Sequence, residues 1–363
     1  MKKSSTLLIT GLMFISLKGL SQYTTIYPEI PRIDVHVHAH DILYDLTLGP
    51  RTSKSLPTFA IRPDYKTITN YLVMRDLMIK NSRIDLAMLI NLGGDQGIDT
   101  VNEVSKGRVM TCISDYVIKK GLTYKPEDIA GYLKKGFAGY KMWFAPYQRR
   151  LKEGEEIIKF IDDDAMEPTL AAMEKAGMPG ASIHFADPNG PFGKRGEWCA
   201  DPVEFWRMII GLERVLQRHP DLVIIAAHGA WLICQDAQID FLRYLLKTYP
   251  NLYVDFSATD QYYHLVNHEN LRDFIIEYSD RILFGTDVVG IKDSEISRLA
   301  IRYARSFRIL ETRDTVKGTF FSETNTIGLN LPKEVLEKIY YKNALKVYPG
   351  LSERMQNLGY SLR

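Results

Sequence analysis

Ile33-Asp34-Val35-His36-Val37-His38 is an apolar, β-branched run with an acid or an imidazole at every second position. Side chains alternate between the two faces of a strand, so His36 and His38 fall on the same side. Seven more short apolar runs follow: Ile84–Asn91, Arg108–Tyr116, Phe137–Phe144, Gly180–Phe185, Leu222–His228, Asn251–Ser257 and Arg281–Asp287. Stretches of helical period separate them: Thr67–Asn81, Thr100–Lys106, Pro126–Lys135, Ala165–Ala176, Pro202–Arg218, Asp236–Thr248, His268–Tyr278 and Ile296–Leu310, with Pro332–Lys346 closing the chain. Strands that are apolar throughout suit a parallel sheet covered on both faces. Eight β-then-α units predict an α/β chain folded as one (β/α)8 TIM barrel, with an extra helix at the C-terminus. A doubly wound open sheet is the rival, but no Gly-rich dinucleotide fingerprint follows the first run. The connections after strands one, four and five are long (39–66, 145–164 and 186–201), and in a barrel such loops form the active-site face.

Composition narrows the function. With 363 residues, 45% of them hydrophobic and 25% charged, the chain has material for a large core and no disorder signature. A formal charge of +2 argues against a nucleic-acid binder that relies on bulk charge. Three scattered cysteines, Cys112, Cys199 and Cys234, form no disulfide scaffold and no zinc-finger spacing. Residues 1–21 read as a secretory signal: Lys2 and Lys3, then an apolar stretch, then Gly19 and Ser21 ahead of a cut before Gln22. The stretch is short for a bilayer span, so the expectation is an exported protein, periplasmic or secreted, with no stable membrane anchor. Residues 22–363 then form the barrel domain, with no linker that divides them.

The strand ends carry the chemistry. Two imidazoles side by side at a barrel mouth are a metal-ligand arrangement. Strand four places Lys141 at the same height, strand five ends on His184, strand six on His228 and strand eight on Asp287. A single His closing a strand is usually a satisfied core or loop residue, and Asp287 alone could cap a helix. Five strands delivering such groups to one face are harder to explain by packing.

Taken together, Asp-x-His-x-His at 34–38, Gly-x-Lys-Met at 139–142, His184, Ala-His-Gly around His228, Phe-Gly-Thr-Asp ending at Asp287, and the tail from Leu331 to Asn343 resemble the amidohydrolase superfamily. The resemblance is closest to its amidohydrolase-related branch, which includes decarboxylases and lactonases, and it spans roughly residues 30–349. It implies that His36, His38, His184 and Asp287 hold a divalent ion, zinc or else manganese, which activates a water. Asp287 then takes the proton, while His228 polarises a carbonyl or protonates a leaving group. The implied activity is hydrolysis of a small amide, ester or lactone. The alternative is metal-dependent non-oxidative decarboxylation of a small aromatic or unsaturated acid. Lys141 is open: in some members a carboxylated lysine bridges two ions, which would make His228 a ligand, and in others it binds an anionic substrate near a single ion. One ion per chain is the favoured count.

Other candidates are weaker. Trp143 and His264 are placed to line a substrate pocket, and Tyr147, Trp198 and Trp231 lie in similar loops. Arg149, Arg150, Lys194 and Arg195 hint at an anionic small-molecule substrate, although exposed charge is their default reading. His40 falls in a loop, and His219 reads as a surface residue beside Pro220. Homo-oligomerisation is compatible with the sequence.

Overall fold

A computed structural model describes residues 25–38, 85–92, 98–115, 118, 120, 122, 124–144, 157–186, 202–289, 296–318 and 325–362. The expected signal sequence, the helix expected at 67–81, most of the three long loops and the residues His40, Tyr147, Arg149, Arg150, Lys194, Arg195, Trp198 and Cys199 lie outside these. Among the described residues no helix is long and apolar enough to cross a membrane.

Strands and helices alternate as the apolar periodicity requires. In chain order they are β1 (Ile33–His38), β2 (Leu86–Leu92), α1 (Ile98–Ser105), β3 (Val109–Asp115), α2 (Ile129–Lys134), β4 (Tyr140–Met142), α3 (Glu167–Ala176), β5 (Gly180–Ile183) and α4 (Pro202–Arg218). Next come β6 (Ile224–Ala226), α5 (Asp236–Thr248), β7 (Leu252–Asp255), α6 (His268–Glu277), β8 (Ile282–Leu283), β9 (Val288–Val289) and α7 (Ile296–Glu311). A small hairpin, β10 (Thr315–Val316) with β11 (Thr326–Ile327), has no counterpart among the apolar runs of the sequence. The chain closes with α8 (Lys333–Glu337), a π turn over 338–342, α9 (Asn343–Val347) and α10 (Leu351–Asn357).

Neighbouring strands pair in parallel from β1 through β8, and β9 returns to the open edge of β1. β8 and β9 are one apolar run interrupted by Phe284–Asp287. Its first half pairs with β7. Its second half donates Asp287 N–H to His36 O (2.9 Å), and Phe284 O accepts from Val35 N–H (3.0 Å). The last strand therefore touches both the seventh and the first, which is the connectivity of a (β/α)8 barrel. The C-terminal helix is fastened to the start of this strand. Asn343 Nδ2 donates to Ser279 O and Ile282 O, both at 2.7 Å. Ile339 O accepts from Phe284 N–H (3.0 Å), and this carbonyl, drawn out of the helix ladder, sits within the π turn.

Caps and stops mark the helix ends. Pro126 opens the turn before α2, Asp163 Oδ1 accepts from Ala165 N–H (3.0 Å) ahead of α3, and Gly177 ends α3 in the left-handed region at φ 70°. Cys112 and Cys234 are buried free thiols, as small core residues should be. His219 differs from its expected surface position. It is buried, because two acids on α3 face it at the end of α4: Glu174 hydrogen-bonds Nδ1 at 2.9 Å, and Glu167 lies within ion-pair distance of Nε2 at 3.0 Å.

A charged knot holds the entry to β1. Arg32 and Glu311 are fully buried and pair at 2.9 Å. Glu311 also accepts from Thr25 Oγ1 (2.8 and 2.7 Å), Ile26 N–H (2.7 Å) and Tyr340 OH (2.9 Å). The Arg32 guanidinium lies over the rings of Phe307 (4.6 Å) and Tyr340 (4.7 Å). Removing one partner of such a pair leaves an uncompensated buried charge, at a cost of about 3–5 kcal/mol. Glu311→Leu should lower the denaturation midpoint accordingly, and adding Arg32→Leu should restore part of the loss. A single variant that unfolds with the parent would show that the pair is not stabilising.

Candidate metal centre

The centre is built where β1, β6, β7 and β8 end. β1 carries a register shift between Asp34 and Val37, yet His36 and His38 still bring their Nε2 atoms to 3.1 Å. Asp287 completes the group: its Oδ1 lies 2.9 Å from His38 Nε2 and 3.3 Å from His36 Nε2. His36 and His38 are buried, whereas the Asp287 side chain is 28% exposed and so is the member that faces outward.

Local sequence explains the fit. Gly285, in Phe-Gly-Thr-Asp, has no space for a side chain, since a Cβ there would stand 3.0 Å from His36 Cβ and 3.2 Å from Ser257 Cβ. Asp34 ties β1 to the last strand. It accepts from His36 N–H (3.1 Å), Thr286 N–H (3.1 Å), Thr286 Oγ1 (2.5 Å) and Tyr303 OH (2.6 Å). Burial pushes its carboxyl up to about 6 despite these donors.

Asp255, at the end of β7, is a residue that the sequence reading passes over. It is fully buried, and its Oδ2 lies 3.1 Å from His36 Nδ1. Its Oδ1 accepts from His228 N–H (3.2 Å), from Ser257 N–H (3.1 Å) and from the Ser257 hydroxyl. Burial opposes its charge, but His36, His228 and Ser257 together hold the carboxyl well below the usual carboxylate range. An ionised carboxylate only accepts, so the proton of His36 sits on Nδ1 and its Nε2 presents a lone pair. By the same reasoning His228 Nδ1, 2.7 Å from Ser257 O, carries the proton and leaves Nε2 as an acceptor.

Electrostatics favour neutral rings. Burial holds the His36 imidazole below its ordinary value, pushes His38 and His228 down to about 4, and holds His184 well below. Burial raises the Asp287 carboxyl, but the facing imidazoles outweigh it and keep the group ionised. A lone pair on His36 Nε2 beside an ionised Asp287 oxygen is repulsive unless a cation lies between them. Two neutral imidazoles and one carboxylate are the donor set for a divalent ion. The residues present therefore fit a metal. His36, His228 and Asp255 form a second tight group, but the Asp255 oxygens are already engaged by hydrogen-bond donors.

The remaining candidates surround this group. His184 is fixed on β4 by Phe144 N–H to His184 O (2.9 Å) and His184 N–H to Met142 O (3.0 Å). Its ring lies 5.1 Å from that of His228 and 4.9 Å from that of Trp143, alongside both three-residue groups rather than in them. Lys141 is buried, donates to Ser182 O, and holds Nζ 5.2 Å over the Trp143 ring. Burial pushes it down to about 8, with the Asp255 and Asp287 charges opposing, so it remains mainly an ammonium at neutral pH. Trp143 also approaches His38, at 5.8 Å between rings. His264 lies half-buried on the turn Asp260–Leu265 and takes part in none of the ring contacts or ion pairs of the cluster among the described residues. Tyr262 on the same turn reaches Trp231 instead (5.7 Å).

Backbone strain gathers at this face. Of the nine described non-glycine residues with positive φ, six lie in or just beyond the C-terminal parts of barrel strands: Ser182, His228, Ala230, Trp231, Ala258 and Asp287. Such conformations cost about 1–2 kcal/mol per residue and persist where surrounding structure over-determines them, often at functional sites.

Residues 135–350 match the amidohydrolase family model. The chain belongs to the amidohydrolase family. No curated protein matches the sequence. Solved structures agree on the fold. An uncharacterized TIM-barrel protein from Bordetella bronchiseptica superposes with TM-score 0.57 at 15% identity, covering 90% of this chain and 100% of that one. IDCase from Metarhizium anisopliae in apo form gives 0.51 at 14%, covering 89% and 98%. A protein described as amidohydrolase II gives 0.50 at 12%, covering 87% and 99%.

Replacing the carboxylate that orients a ligating histidine typically costs 10–100-fold in metal affinity. Asp255→Asn should weaken divalent-ion binding by about that factor in a chelator competition, with far-UV circular dichroism unchanged. Parental affinity in this variant would remove Asp255 from the centre.

Proposed function

We propose that this amidohydrolase-family chain is a metal-dependent hydrolase acting at the carbonyl of a small amide, ester or lactone. The convergence of His36 Nε2, His38 Nε2 and Asp287 Oδ1 within 3.3 Å carries the reading. In it, His36, His38 and Asp287 would hold one zinc or manganese ion, with His184, whose ring lies 5.1 Å from that of His228, as the further candidate ligand. A bound divalent ion supplies Lewis acidity and an acidified water.

The protein groups then divide the work. Asp287, ionised and partly exposed, accepts a proton at the mouth of the site. His228 is neutral, with Nε2 as its free acceptor position. It would take up there the proton that Asp287 has accepted, and the charges of Asp255 and Asp287 favour the resulting imidazolium. That imidazolium donates to the carbonyl oxygen or the leaving group. Asp255 and Ser257 keep His36 and His228 in the required tautomers. The Lys141 ammonium, beside Trp143, favours a substrate that carries negative charge.

The test is hydrolysis of a panel of esters, lactones and amides by the zinc- or manganese-loaded protein in 18O-labelled water. Label should enter the acid product. Asp287→Asn should lower turnover by about 10²–10⁴-fold with circular dichroism unchanged. Full activity in that variant would overturn the assignment. Carbon dioxide release from an aromatic or unsaturated acid, with no label incorporated, would establish decarboxylation in its place. The reading includes export: N-terminal sequencing of the mature protein should start at Gln22, and an intact Met1–Ser21 in cytoplasmic protein would exclude it.

A further inference from the structure

Trp231 lies three residues beyond His228, at the end of a left-handed turn. His228, Gly229, Ala230 and Trp231 all have positive φ (57°, 59°, 52° and 58°). This backbone doubles back and lays the indole flat on the His228 imidazole, 4.4 Å between centroids and 21° between planes. The ring meets His184 edge-on at 6.4 Å and Tyr262 at 5.7 Å. Trp231 is only 7% exposed, yet its indole Nε1–H has no hydrogen-bond acceptor among the described residues. Buried polar groups are nearly always paired, and an indole N–H can only donate. It can therefore neither ligate an ion nor act as a base, and what it lacks is an acceptor atom. Its ring lies against the two imidazoles, His184 and His228, that border the metal group.

We propose that Trp231 is a specificity-determining residue whose indole N–H donates to an sp² oxygen of the substrate, carbonyl or carboxylate, held beside His228. The inference rests on the functional reading only in taking this centre as the place where substrate binds. The stack on His228 supplies the aim: the hydrogen-bond donor lies flat against the proton-accepting ring, so an oxygen held by Trp231 is presented beside His228.

The test is an NMR titration of the zinc-loaded full chain, labelled with 15N at tryptophan, using benzamide and sodium benzoate as probes. They share a ring and differ in the oxygen offered. The Trp231 Hε1 signal is assigned by its absence in Trp231→Phe. If that variant does not fold, Trp143→Phe, Trp198→Phe and Trp206→Phe assign it by elimination. A saturable downfield shift of Trp231 Hε1 is expected, with Trp231→Phe binding the probe about 3–10-fold more weakly at unchanged zinc content. A shift with benzamide alone identifies a neutral carbonyl as the partner, and one with benzoate alone a carboxylate. An Hε1 signal unmoved by either probe at about 50 mM, or a Trp231→Phe protein that binds as tightly as the parent, overturns the proposal. Both readouts are binding measurements, so a protein that hydrolyses nothing in the panel could still show the shift, and the two failures are distinguishable.

Discussion

The hydrogen bond between His36 Nδ1 and Asp255 is the contact on which the rest of the centre depends. It fixes a tautomer, and the tautomer decides the chemistry. With the proton on Nδ1, His36 turns a lone pair toward Asp287 and His38, and two electron-rich atoms, His36 Nε2 and Asp287 Oδ1, face each other at 3.3 Å. Were the proton on Nε2, the same residues would form an ordinary N–H to carboxylate hydrogen bond that needs nothing between them. One carboxylate on β7 thus converts a cluster of polar residues into a cation site. Asp255 also accepts from the His228 backbone and the Ser257 hydroxyl, so the tautomers of both histidines are set through a single group.

Barrel geometry makes this arrangement reachable. His36, His228, Asp255 and Asp287 come from the ends of β1, β6, β7 and β8, which are far apart in sequence and adjacent only because the last strand returns to the first. Burial then keeps the imidazoles neutral, and a neutral imidazole is the form that ligates.

Much of this is legible in the sequence because it follows from periodicity. Eight apolar runs correspond to eight strands, and His36, His38, His184, His228 and Asp287 stand out as polar interruptions at their ends. Asp255 carries the same signal, a charge closing the run Leu-Tyr-Val-Asp, but an acid in a strand invites no reading until its partner is known, and that partner is 219 residues away. Ser257 and Thr286 are smaller versions of the same difficulty, since a hydroxyl acquires meaning only from what it touches. His219 reads as exposed because its neighbour Pro220 marks a helix end. Its burial depends on Glu167 and Glu174 of another helix, which local sequence cannot place. The break of the last strand into β8 and β9 is likewise tertiary. Phe284 gives its amide to Ile339 and its carbonyl to Val35, so it belongs to no single ladder.

The two ends of the barrel distribute strain unequally. At the entry to β1, Arg32, Glu311, Thr25 and Tyr340 satisfy one another almost completely, and the N-terminal segment and the C-terminal helix are held in the same knot. At the opposite end, left-handed residues accumulate near the end of β5 and after β6, β7 and β8. A left-handed turn of non-glycine residues persists only if its surroundings outweigh its cost. At His228 those surroundings are the hydrogen bonds to Asp255 and Ser257, together with the stack of Trp231. The strain is therefore concentrated where the strands end around the centre, and the contacts that hold it in place at His228 belong to that same end.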